Sequence, residues 1–179
     1  MKKLLIIGVI LLILTVIPLT VFLALRSQDI QQHPAPATSL EFSPQSVTVA
    51  AGEQFNVDVI VNTGGNQITG ADLSISFDPE QLQADSILKG PFLPNILVAG
   101  EVGPGTATIT LGAPSTTPGT GTGTLATIAF TAKASSASPI SIRLVQPGTQ
   151  VVGIGEQGNV LVNATPAVVT ISGTGGPVA

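Results

Sequence analysis

The stretch that decides the fold is ITGADLSISFDPEQL, residues 68–82. Its central apolar and polar residues alternate one by one: Leu73, Ile75 and Phe77 against Asp72, Ser74 and Ser76. This is the period of a β-strand with one buried face and one polar face. Asp78-Pro79 comes next and favours a turn, because proline lacks the amide hydrogen that a sheet ladder needs. The stretch therefore predicts a strand that ends in a turn, and residues 80–84 could add at most one helical turn.

The same two-residue alternation recurs along the body of the chain. It is seen in residues 55–62, 106–111, 125–132 and 140–145, and two short apolar runs lie further on at 160–162 and 168–171. Turn-forming Gly, Pro and Asn residues separate these segments, and no long amphipathic helix lies between them. We interpret residues 113–124 (APSTTPGTGTGT) as a surface loop rather than a domain boundary, since neither half alone has enough strands to bury both faces. The pattern predicts one all-β domain, an antiparallel sandwich or barrel.

Composition excludes several classes of function. The chain has 179 residues, six basic and ten acidic, with a net charge of −4, so it lacks the basic surface that nucleic-acid binding requires. It contains no Cys and one His, His33, which excludes thiolate zinc sites, cysteine nucleophiles and a histidine-based triad. We therefore predict no catalytic residues, no metal, no cofactor and no enzymatic activity.

The N-terminal segment predicts a membrane anchor. Residues 4–25 carry no charge over 22 positions, which as a helix spans roughly 33 Å, the thickness of a bilayer core. A cleaved signal peptide is the alternative. Lys2 and Lys3 precede the run and Arg26 alone follows it, so the positive-inside rule places the N-terminus in the cytoplasm. We expect a single-pass protein of the cell membrane with anchor 1–26, polar linker 27–39, extracellular domain 40–173 and flexible tail 174–179.

Three segments, in this order, carry a family resemblance. They are VTVAAGEQFNVDVIV (47–61), the deciding stretch 68–82, and GTGTLATIAFTAK (121–133). Together they resemble the cohesin domain of cellulosome scaffolding proteins over residues 40–173, with Phe77 where that family commonly has Tyr. The resemblance implies a nine-stranded antiparallel β-sandwich of jelly-roll topology, preceded here by the single transmembrane helix.

The resemblance also implies a partner. Cohesins bind a dockerin, a small calcium-loaded module on a secreted enzyme, through one flat sheet face, which would link this chain to polysaccharide breakdown. The family's acidic contact position falls on Asp72, and with Ser74 and Ser76 on the same polar face these are the predicted partner-binding residues. The sequence departs from the family at Gly70, where Asn is common, and at 111–114 (LGAP), where acidic residues are common.

Other functional interpretations have less support from the residues present. Four acidic residues could supply calcium ligands but lack the spacing of a calcium loop: Asp72, Asp78, Glu80 and Asp85. The GxGxxG match at 153–158 precedes a strand pattern, so we expect a hairpin loop rather than a dinucleotide site. Direct polysaccharide binding is disfavoured because the chain has no Trp or Tyr. The alternatives to docking are a structural, adhesin-like envelope domain and a carbohydrate-binding module.

Overall fold

The computed structural model describes residues 37–133, 139–156 and 158–173, and in this part the chain forms strands and turns without a helix. The strands are β1 (Thr38–Ser43), β2 (Ser46–Ala50), β3 (Gln54–Asn62), β4 (Ile68–Ser76), β5 (Leu82–Lys89), β6 (Asn95–Gly103), β7 (Thr106–Gly112), β8 (Thr122–Ala132), β9 (Ile140–Leu144), β10 (Gln150–Gly153), β11 (Leu161–Thr165) and β12 (Ala167–Ser172).

The predicted anchor 1–26, most of the linker 27–39 and the tail 174–179 lie outside the described residues. Within the described ranges, no helix has the length and hydropathy that a membrane crossing requires.

The strands form two sheets that pack face to face. The five-stranded sheet has the order β11-β1-β3-β8-β5, and the seven-stranded sheet has the order β2-β12-β9-β4-β7-β6 with β10 also beside β4. Most neighbours are antiparallel, but β1 runs parallel to β11 and β2 runs parallel to β12. The all-β sandwich predicted from the alternation is therefore observed, although it is not antiparallel throughout.

The described residues contain twelve strands rather than the expected nine, because three long strands are interrupted. Pro44 separates β1 from β2, Pro147-Gly148 separates β9 from β10, and Pro166 separates β11 from β12. Proline cannot donate to a ladder, so each break frees the chain to change direction or sheet. β1 and β11 lie in one sheet while β2 and β12 lie in the other, so the first and last strands close one side of the sandwich.

The core is aliphatic with a small aromatic centre. The inward residues of β4, Leu73 and Ile75, are fully buried. The Phe130 ring stacks on Phe55 at 5.6 Å and meets Phe77 edge-on at 5.1 Å between centroids. Both geometries are favourable for aromatic pairs. The side chains that point the other way from the same strands are left to form the two outer faces.

Two segments singled out in the sequence are loops. The loop predicted at 113–124 is shorter in the structure: residues 113–121 join β7 to β8 on the surface, and 122–124 belong to β8. The GxGxxG segment starts at Gly153, the last residue of β10. Val152 and Asn159 form an antiparallel bridge, and Val160 donates its amide to the Val151 carbonyl. The next element after these glycines is the strand β11, so the segment offers no helix N-terminus for a pyrophosphate.

Candidate docking surface

The outward side chains of β4, β6, β7, β9 and β10 form one face of the seven-stranded sheet, called here the candidate face. β4 lies in its middle, with β7 and then β6 on one side and β9 and β10 on the other. Because side chains alternate along a strand, the inward Ala71, Leu73 and Ile75 leave residues 70, 72, 74 and 76 pointing outward.

The strand register arranges the candidate face in four rows that cross β4. The first row is Val152, Gly70, Gly112 and Asn95, and the second is Gln150, Asp72, Thr110 and Val98. The third row is Ser74, Thr108 and Glu101, and the fourth is Arg143, Ser76, Thr106 and Gly103. The three residues predicted to bind a partner therefore occupy successive rows on the central strand.

Asp72 is exposed in the second row. Its carboxylate accepts a hydrogen bond of 3.1 Å from the Thr110 hydroxyl on the neighbouring strand. Among the described residues, no Lys or Arg nitrogen lies within 4.0 Å of this carboxylate. The hydroxyl holds the carboxylate in place while its charge remains free to meet a cation from outside.

Ser74 is less accessible than the alternation alone indicates. The turn between β9 and β10 crosses it so closely that a Cβ on Gly148 would lie 3.0 Å from the Ser74 Cβ. The Thr149 hydroxyl accepts from the Ser74 amide at 3.2 Å and donates to the Ser74 carbonyl at 3.1 Å. Ser74 thus anchors the turn through its backbone, and its side chain is half-buried.

Thr149 also contributes to this surface, although the sequence did not predict a role for it. It is fully buried, although it lies in a polar segment between two strands. If β9 and β10 were one continuous strand, its backbone would bond to Ser74 of β4. Here the Thr149 hydroxyl makes these hydrogen bonds instead. A polar β-branched residue directly after Pro147-Gly148 is the only sequence signal, and it does not reveal which backbone groups the hydroxyl reaches.

Ser76 is half-buried at the far end of the candidate face. It is paired with Arg143 of β9 and with Thr106 of β7. Arg143 is exposed and is the only basic residue in the four rows. This end of the face therefore carries positive charge, while Asp72 and Glu101 place negative charge in the rows beside it.

The other proposed sites have little support in the geometry. Among the described residues, no three acidic or histidine side chains come close enough to hold a metal ion. Every phenylalanine in that part of the chain is buried or half-buried, so no exposed ring offers a sugar a stacking surface.

The chain and its structure resemble known cohesins. The model of the Cohesin domain family matches residues 40–171. The third cohesin ScaC of Acetivibrio cellulolyticus, solved with the ScaB dockerin, superposes with a TM-score of 0.64 and is 18% identical over 75% of this chain and 99% of that one. The non-cellulosomal cohesin of the archaeon Archaeoglobus fulgidus has a TM-score of 0.60 and 18% identity, covering 75% and 91%.

A third similar structure is CaCohA2 of Clostridium acetobutylicum, with a TM-score of 0.63 and 17% identity, covering 76% of this chain and 91% of that one. None of the curated proteins matches the chain significantly. The structural likeness at such identities establishes the fold, and the family match spans most of the chain. The chain belongs to the cohesin family.

Proposed function

We propose that this chain is a docking module that binds a dockerin-type partner non-covalently through the candidate face, without catalysing a reaction. Family membership supports this proposal, since the cohesins ScaC and CaCohA2 were each solved in complex with a dockerin. The observation that carries it for this chain is Asp72, an exposed carboxylate fixed by Thr110 at the centre of a broad sheet face.

The charge of Asp72 supports a role in recognition rather than in stability. A carboxylate that holds the fold together would be paired within the domain, whereas the Asp72 carboxylate has no basic group beside it among the described residues. A cation on the partner would gain a charge-assisted hydrogen bond there, in a position where contact with the sheet excludes water. The same face presents Ser76 and Arg143 for further polar contacts.

The test is a capture experiment with a matched control. The full chain in detergent is immobilised and exposed to secreted proteins of the source cells, with calcium and with chelator, and each captured protein is sequenced. We expect a calcium-dependent protein that carries dockerin repeats. Asp72→Ala should weaken its binding about tenfold or more, because the partner's cation loses its counter-charge.

Asp85→Ala is the control. Asp85 is also an exposed aspartate that accepts a hydrogen bond from a cross-strand threonine, Thr131, but it lies on β5 in the other sheet. Its substitution should leave binding unchanged. Equal affinity of the wild type and Asp72→Ala for a confirmed partner would remove the candidate face from the proposal. Capture of no dockerin-bearing protein would favour the structural envelope role instead.

We also propose that residues 1–26 hold the domain at the outer surface of the cell membrane. The support is the uncharged run of 22 residues and the excess of lysine before it. The chain should stay with membranes after a carbonate wash, and protease added to intact cells should digest residues 40–173. Release of a chain that lacks the apolar run would show that the segment is a cleaved signal peptide.

A further inference from the structure

The first row of the candidate face lacks side chains at its centre. Gly70 of β4 and Gly112 of β7 are directly paired, and both positions point outward. Neither strand places a side chain here: Gly70 is half-buried, and Gly112 is buried. The two departures from the family noted in the sequence, at Gly70 and in the segment 111–114, thus meet at one spot on the surface.

Apolar side chains border this spot on both sides. Leu97 of β6 lies over Gly112, since a Cβ on Gly112 would be 2.8 Å from the nearest Leu97 methyl carbon. On the other side, Val152 is paired with Gly70, and its Cβ would lie 3.8 Å from a Cβ on Gly70. Leu97 is 63% exposed and Val152 is 44% exposed. The backbones of β10 and β6 are three interstrand spacings apart, roughly 14 Å, and Leu97 reaches over Gly112 from β6, which leaves a notch above Gly70.

The floor of the notch offers no hydrogen bonds. Gly70 has a strand neighbour on each side, Gly112 and Val152, so its amide and carbonyl are directed into the sheet. A polar side chain placed directly above Gly70 would lose its water without gaining a partner in the floor, which costs free energy, and Asn95 is two strands away on β6. An aliphatic side chain would instead bury its surface against Leu97 and Val152, which stabilises a complex.

The charge next to the notch restricts the occupant further. Asp72 is two residues along β4 on the same face, about 7 Å away. Val98, in the row of Asp72, is 57% exposed and extends the apolar border of Leu97 toward it. A complementary surface therefore combines one bulky aliphatic residue with a neighbouring cation.

We infer that the notch above Gly70 receives one bulky aliphatic side chain of the partner, beside a lysine or arginine that binds Asp72. This inference rests on the proposed docking function and specifies its selectivity. The partner would contact this end of the face through an apolar residue, where the family's usual Asn and acidic residues would favour a polar one.

The test uses a displayed library of the Acetivibrio cellulolyticus ScaB dockerin in which the surface positions of its C-terminal helix are randomised. The library is selected for binding to the full chain in detergent. We expect the selected dockerins to share an aliphatic residue next to a lysine or arginine. Binding is then titrated against variants of the chain. Gly70→Leu fills the notch and should lower the affinity about tenfold or more.

Gly70→Leu should fold, because a Cβ there meets its neighbours at ordinary contact distance and the backbone does not adopt a positive φ. Leu97→Ala, which removes one wall, should weaken binding several-fold and provides a second test. The control is Asn56→Leu, which adds the same side chain at an exposed position of β3 on the opposite sheet. It should change the affinity by less than about twofold, and the melting temperature of each variant reports its folding.

The possible results distinguish a failure of the notch proposal from a failure of the proposed docking function. The notch would be overturned, with the docking function intact, by selected dockerins that lose affinity for Asp72→Ala but share no aliphatic position. Dockerins that lose affinity for Asp72→Ala but bind Gly70→Leu at full strength would have the same meaning. A library that yields no binder, or only binders indifferent to Asp72→Ala, would overturn both.

Discussion

Replacing Thr149 with valine removes one hydroxyl from a fully buried position and keeps the shape of the side chain nearly unchanged. That hydroxyl accepts from the Ser74 amide and donates to the Ser74 carbonyl. The Ser74 carbonyl also accepts from the Val145 amide at 2.8 Å, so it keeps one partner in the variant. The Ser74 amide loses the side-chain partner that faces it from the turn.

The expected loss of stability can be worked out from these contacts. A net contribution of about 1 kcal/mol for the lost hydrogen bond, and about 1 kcal/mol or more for the unsatisfied amide, gives about 2–3 kcal/mol. The extra burial of a methyl group offsets a fraction of this cost. For a domain of this size, roughly 3–4 °C of Tm corresponds to 1 kcal/mol, so Tm should fall by about 6–12 °C.

Urea denaturation of the variant measures the free energy of unfolding, and amide hydrogen exchange at Ser74 reports the lost bond directly. Thr108→Val is the matched control, because Thr108 is the cross-strand partner of Ser74 and its hydroxyl is exposed on the same face. We expect the control to lie within about 0.5 kcal/mol of the wild type. If Thr149→Val costs no more than Thr108→Val, the hydroxyl does not replace the missing strand bonds.

Three further substitutions test the fold. Phe130→Ala should cost about 3–5 kcal/mol in urea denaturation, because a fully buried ring is lost from the aromatic centre, and a cost below about 2 kcal/mol would contradict that assignment. Asn159→Ala should cost about 2 kcal/mol, because its side-chain oxygen accepts from two backbone amides, and unchanged exchange of those amides would count against it. Gly90→Ala should lower Tm sharply, because its Cβ would clash with the Thr124 carbonyl oxygen, whereas Gly173→Ala, with open space around it, should not.

The inward half of the sandwich could be predicted from the sequence. The alternation names Leu73 and Ile75 of β4, and Phe77 directly after it, as inward residues, and all three are buried in the structure. It works because each strand faces the core on one side and solvent on the other, so burial alone imposes the period. The same argument places Asp72 on the outer face, where it is exposed.

The strand β6 and the role of Thr149 could not be predicted in this way. β6 reads NILVAGEVG, and its register shifts between Ile96 and Val98 and again between Val98 and Glu101. Each shift inserts an extra residue and breaks the two-residue period on which the prediction depends. Thr149 is buried by a turn that crosses another strand, and such a long-range contact leaves no local pattern in the sequence.

The same alternation explains how a cohesin can change its recognition chemistry while keeping its fold. Gly70 and Gly112 point outward, while their neighbours Ala71 and Leu111 point into the core and are buried. Substitutions at the outward positions leave the packed interior intact, which is consistent with TM-scores of 0.60–0.64 at 18% identity. The fold can therefore be inferred from distant relatives, whereas a partner must be inferred from the outward residues of this chain, where the proposed notch lies beside the exposed Asp72 carboxylate.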